Sequence, residues 1–208
     1  MASVTRPAQP SRQDRRDALE RRLLEAAEQL VNEGASFTEL SVERLASRAG
    51  ISRSTFYVHV QDKSELVLRL MRSVIAEVQE ASSTWWTTAD QAQRADLRAS
   101  LEAIVDVYRR HSAAFAIIVE TSTYDSAVSA ELGTLMQTVI DGTREAIERG
   151  QTAGTIRPVA PTETAAVLTW MVERAGYQLV RKANPTNTPT IINVLTDIIW
   201  TTLYEPTA

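Results

Sequence analysis

Residues 41–63 constrain this chain more than any other stretch. They read Ser-Val-Glu-Arg-Leu-Ala-Ser-Arg-Ala-Gly-Ile-Ser-Arg-Ser-Thr-Phe-Tyr-Val-His-Val-Gln-Asp-Lys. Ser41 is placed to cap a short helix with Val42, Leu45, Ala46 and Ala49 on one side. Gly50 follows, where a helix end needs a residue that tolerates positive φ. Ile51 is an apolar plug, and Ser52 is placed to cap a second short helix through Phe56 and Val58. Two short helices joined by a Gly-containing turn make a helix-turn-helix. The small Ala46 lets the second helix cross close over the first.

The rest of the chain has helical periodicity. From Arg15 to Asn32, Leu19, Leu23, Ala26, Ala27, Leu30 and Val31 recur at helical spacing, and Glu33-Gly34 ends that helix. Its expected place is behind the helix-turn-helix, with Phe37 and Leu40 plugging the same small core. Residues 1–14 mix Ser, Pro, Gln and Arg without periodicity and read as a flexible basic arm, either a solvated tail or a reach towards phosphates.

Asp62 and Glu65 have capping-box spacing, and Leu66, Leu70, Met71, Val74 and Val78 carry an apolar face towards Trp85 and Trp86. Further helical faces run from Asp90 to His111, over 111–120, from Asp125 or Ser126 to near Gly150, and from Pro161 to about Asn184-Pro185. A last helix runs through Ile191 to Leu203, and the Gly/Pro-containing stretch 152–161 is a loop. No strand is legible. The expected fold is all-α with about nine helices: a helix-turn-helix domain over 15–62 and a larger helical domain over 63–208.

Composition excludes several chemistries. The 208 residues include no cysteine, which removes disulfides, thiolate metal sites and thiol catalysis together. The two histidines, His59 and His111, are far apart and fit no zinc spacing. Nucleophile-elbow, Walker, dinucleotide-glycine and His-Glu-x-x-His patterns are missing, so no catalytic residue, metal or cofactor is expected. No apolar run approaches bilayer length, the first fifteen residues lack the apolar core of a secretory signal, and a cytoplasmic location is expected. The net charge of −4 is unevenly placed: residues 1–63 hold ten basic against nine acidic side chains, the remainder 12 against 17. One end suits DNA better than the other.

Residues 49–66, Ala-Gly-Ile-Ser-Arg-Ser-Thr-Phe-Tyr-Val-His-Val-Gln-Asp-Lys-Ser-Glu-Leu, resemble the DNA-binding signature of TetR-type bacterial repressors. The likeness covers residues 16–70. Beyond them it rests on length and helical layout, with a weaker similarity to the ethionamide-activation repressor subgroup. Ser52, Arg53, Ser54 and Thr55 stand where the second helix first meets a major groove, and Arg53 suits a guanine edge or a phosphate. His59 lies further along with its polar tip in reach of phosphates, and Ser41 and Arg44 sit at the edge of the first helix. The resemblance gives Tyr57 and Lys63 the role of binding the DNA backbone.

The resemblance also implies a ligand pocket and a homodimer in the C-terminal part. Trp85, Trp86, Leu97, Leu101, Ile104 and Tyr108 are candidate lining residues, with Phe115, Leu132, Leu135, Met136, Val139 and Trp170. Core filling explains each of them as well. The last two helices are more apolar than one packing face needs, so Met171, Tyr177, Ile191, Leu195, Ile198, Ile199 and Trp200 are candidates for pairing across a two-fold axis. The expected function is a one-component regulator, a repressor, that binds a palindromic double-stranded DNA operator as a homodimer and is released by a small hydrophobic effector. The alternative is a helical small-molecule binding protein or enzyme that keeps the helix-turn-helix as scaffold.

Overall fold

The structure, a computed structural model, describes residues 11–180 and 185–204. Ser11 opens the first helix. Its hydroxyl accepts from the Asp14 N–H at 3.0 Å, and the Asp14 carboxylate accepts from the Ser11 N–H at 2.8 Å. This capping box starts α1 (Arg12–Asn32) ahead of the expected Arg15. Of the arm expected over 1–14, residues 1–10 lie outside the described residues and 12–14 belong to α1.

The helix-turn-helix forms as its caps dictate. Ser41 accepts from the Arg44 N–H and starts α2 (Val42–Arg48); Ser52 accepts from the Thr55 N–H and starts α3 (Arg53–His59). Between them Gly50 takes φ +67°, and the Ile51 N–H returns to the Ala46 carbonyl at 2.9 Å. Leu23, Leu30, Phe37, Leu45 and Phe56 are fully buried.

Asp62 caps α4 (Lys63–Thr88), whose 26 residues extend about 39 Å. A 3₁₀ turn, Ala89–Gln91, leads to α5 (Arg94–Arg110) and α6 (Ser112–Ser122). Asp125 accepts from the N–H groups of Ala127 and Val128 to start α7 (Ser126–Thr152). Pro161, which needs no N–H partner at a helix start, opens α8 (Pro161–Ala175). The helix expected to reach Asn184 passes instead into a π-helical turn, Gly176–Val180; residues 181–184 lie outside the described residues. A 3₁₀ turn, Pro185–Asn187, precedes α9 (Thr188–Leu203).

α4 packs along α5 and α7, α7 against α8, and α5 against α9. The end of α9 folds back on the end of α4: the Tyr204 hydroxyl accepts from Trp85 Nε1 at 3.1 Å and donates to the Ala89 carbonyl at 3.0 Å. Ile156 and Tyr204 form an isolated antiparallel bridge; the described residues are otherwise helices, turns and loops. One continuous apolar cluster runs from Leu23 in the head to Tyr204.

Candidate functional site

The head presents α3 to solvent. Phe56 is fully buried and holds the helix down, while Tyr57 is 48% and Val58 78% exposed. Arg53, Ser54 and Tyr57 share the exposed side, with the Arg53 guanidinium carbon 5.8 Å from the centre of the Tyr57 ring. Ser52 is occupied as a cap, and its hydroxyl lies 2.8 Å from those of Ser54 and Thr55. Ser41 is likewise a cap, Arg44 is exposed beside it, and His59 is half-buried at the end of α3. Arg53 and Tyr57 are therefore neighbours on one exposed face of α3.

Lys63 differs from the expectation of a phosphate clamp. Its ammonium donates to the carbonyls of Phe37 at 2.6 Å and Thr38 at 2.9 Å and lies 4.7 Å from the Phe37 ring centre. Burial holds its pKa below the usual lysine range, against the pull of Glu120. These two carbonyls take two of the three ammonium N–H donors.

The same connection ties the head to the larger domain. Glu120 of α6 accepts from Ser36 Oγ at 2.8 Å, from the Thr38 N–H at 2.9 Å and from the Thr38 hydroxyl. Burial raises the Glu120 pKa, but these donors outweigh it and hold the carboxyl below the usual range. Ser64 donates to Asp125, and His111 Nδ1 stands 3.7 Å from Glu28 of α1. α1 packs directly on α6. These links were not legible in the sequence, because their partners are tens of residues apart.

A cavity with about 70 Å³ of free volume lies among α4, α5, α7, α8 and α9. Of the expected lining residues, Trp85, Trp86, Leu97, Leu101, Ile104 and Tyr108 border it, with Met136 and Val139. Phe115, Leu132, Leu135 and Trp170 do not. Phe115 is buried behind the wall, stacked on Tyr108 at 4.0 Å between ring centres. Leu132 and Leu135 are half-buried elsewhere on α7, and Trp170 is 43% exposed on the outer side of α8.

Residues not expected in the lining complete it: Ile75 and Val78, on the apolar face of α4, with Ser82, Ser100 on α5, and Thr143 on α7. Leu168, Thr169, Val172 and Glu173 come from α8. Gly176 carried the one local signal. A Cβ there would lie 2.7 Å from the Tyr108 ring, so only glycine lets that ring sit against the backbone. Burial pushes the pKa of Tyr108 up, and the Glu173 carboxyl adds to the rise. Burial also raises the pKa of Glu173, opposed by Arg174.

The outer sides of α8 and α9 carry Val167, Trp170, Val194 and Ile198, all at least 43% exposed. Ile198 fits the expected pairing surface, but Leu195 and Ile199 are turned inward at 4% and 5% exposure, and Ile199 lines the cavity. Met171, Tyr177, Ile191 and Trp200 are half-buried; Trp200 stacks on Tyr204 at 4.1 Å. α9 is apolar on several sides, so periodicity alone did not separate its inner face from its outer one.

A helix-turn-helix with its second helix facing solvent, mounted on a larger helical domain, is the architecture of a DNA-binding regulator. Residues 23–70 match the family described as bacterial regulatory proteins, tetR family, and residues 97–205 match the transcriptional regulator EthR, C-terminal domain. The chain belongs to the TetR family of transcriptional regulators, with an EthR-type C-terminal domain. It is 27% identical to the HTH-type transcriptional regulator EthR of Mycobacterium tuberculosis, covering 96% of this chain and 91% of that one. It is 31% identical over 140 residues to the HTH-type transcriptional activator FasR of Mycolicibacterium smegmatis, covering 66% and 61%. The fold matches the TetR-family regulator PfmR of Thermus thermophilus, with TM-score 0.70, 19% identity and coverage of 95% and 100%. Among the described residues no helix is long and apolar enough to cross a membrane.

Proposed function

We propose that this protein is a repressor that binds a palindromic operator as a homodimer and releases it when a small apolar effector enters the cavity. The observation that carries the reading is the direct bonding of the DNA-facing head to α6 of the domain that holds the cavity. A ligand that favours one arrangement of the α4–α7 walls acts on the placement of α3 through these bonds. It acts only to the extent that it binds the two arrangements with different affinity. Arg53 and Tyr57 are the proposed DNA contacts, and the outer side of α8 and α9 the proposed dimer face. Two heads related by a two-fold axis then read half-sites roughly one helical turn apart.

The test is binding of purified protein to its own upstream intergenic DNA across a salt series, beside an Arg53→Ala, Tyr57→Phe variant. Tight, salt-sensitive binding that falls at least tenfold in the variant is expected. Equal affinity for that DNA and for random DNA, in both proteins, counts against the reading. Activation is the second reading, favoured by the match to a regulator described as an activator. In vitro transcription from the bound promoter separates the two by the sign of the change.

A further inference from the structure

The cavity lining is mostly apolar, with hydroxyls from Ser82, Ser100, Tyr108, Thr143 and Thr169 and a single carboxylate, Glu173, one of whose oxygens lacks a hydrogen-bond donor. Ser82 donates to the Val78 carbonyl at 2.8 Å and Thr143 to the Val139 carbonyl at 3.0 Å, so both hydroxyls are turned back onto their own helices. The indole N–H groups are also occupied. Trp85 gives its own to the Tyr204 hydroxyl and Trp86 to Thr143 Oγ1, each at 3.1 Å. Glu173 is the one charged side chain among the lining residues. Its Oε2 is buried and accepts no hydrogen bond from any described residue. The Arg174 Nε stands 3.6 Å away, beyond hydrogen-bond length, on a side chain that is 59% exposed. An acceptor withdrawn from water and left without a donor raises the free energy of the empty protein, and a ligand that supplies the donor removes that penalty.

We propose that the cavity takes a small apolar molecule bearing one basic nitrogen, with its N–H or ammonium group set against Glu173 Oε2. The proposal rests on the reading of this cavity as the effector site and adds the chemical class of the effector. The sign of charge discriminates. A carboxylate on the same apolar body would place two anions together where the dielectric screens them poorly. An alcohol can donate to Glu173 but brings no compensating charge. Trp86, Leu101, Ile104, Met136 and Val139 accept any apolar body of suitable size, so discrimination by charge falls to Glu173.

The experiment uses the full chain and three matched n-alkyl series, ending in an amine, an alcohol or a carboxylate, titrated calorimetrically at neutral pH. The wild type and a Glu173→Gln variant are compared. The expected result is that amines bind the wild type at least tenfold more tightly than alcohols of equal length, with carboxylates weakest. In Glu173→Gln the advantage of the amines disappears while the affinity of the alcohols holds. The ligand-free variant melts no lower than the wild type, because it loses a buried charge that lacked a donor. Alcohols or carboxylates that match the amines in the wild type overturn the proposal and leave the effector cavity standing. So does an amine preference that survives in the variant. If no series binds the wild type, both the proposal and the cavity's effector role fall. Should Glu173→Gln fail to fold, the wild-type ranking decides alone.

Discussion

At Gly50 two constraints fall on one residue. Its φ of +67° lies in the left-handed region, and a Cβ would come within 2.8 Å of Arg22 Nη2. That guanidinium reaches over from α1 and donates to the carbonyls of Ala49 and Gly50. Gly50→Ala is expected to cost about 1–2 kcal/mol from the backbone alone, read by urea denaturation. The sequence disclosed the first constraint, since a glycine between two capped apolar stretches asks for positive φ. It did not disclose the second, because Arg22 is 28 residues away and no local pattern pairs them. Lys63 repeats the lesson: resemblance pointed it at DNA, while its ammonium holds the carbonyls of Phe37 and Thr38. Lys63→Met is expected to destabilise the DNA-free protein by about 1–2 kcal/mol, as two carbonyls lose a charged donor. An unchanged denaturation midpoint would mean that those bonds add nothing to stability.

Between elements, Glu120 is the junction that most directly connects α6 with the turn leading into α2. Its folded-state pKa is depressed below the ordinary 4.5, so its contribution to docking is fully present above that value. The contribution is lost as pH falls through the lower folded-state value. Glu120→Gln at neutral pH is expected to weaken docking by about 1 kcal/mol, discounted for partial exposure. Hydrogen exchange, compared as protection factors at each pH, checks this: amides over 33–40 should be less protected in the variant than in the wild type at pH 7, and the wild type should lose that protection only in acid. Equal rates in both proteins at pH 7 would show that the head is held by packing alone. Helix positions were readable because Ser41, Ser52, Asp62 and Asp125 cap where caps were expected. The inward face of α9 was not, because Ile192, Val194, Ile198 and Trp200 place apolar side chains on several sides of the helix.

For the molecule as a whole, α8 and α9 carry the exposed Val167, Trp170, Val194 and Ile198, far along the chain from α3. Trp170→Glu together with Ile198→Glu is expected to convert the proposed dimer into a monomer in sedimentation velocity at micromolar concentration, with the helical signal retained. Both side chains are more than 40% exposed in the single chain, so the substitutions leave its own core intact. A double variant that sediments as the wild type does would move the pairing surface elsewhere.

The apolar cluster that passes without a break from Leu23 to Tyr204 sets a rule for anyone recombining such proteins. A cut at residue 62, which sequence alone suggests as the border, would strip α1 of its seat on α6 and leave Ser36 and Thr38 without Glu120. Chimeras that graft this DNA-reading module onto a foreign sensor must therefore carry α6 and the first turns of α4 along with it. The head and the packing that holds it are exchangeable only together.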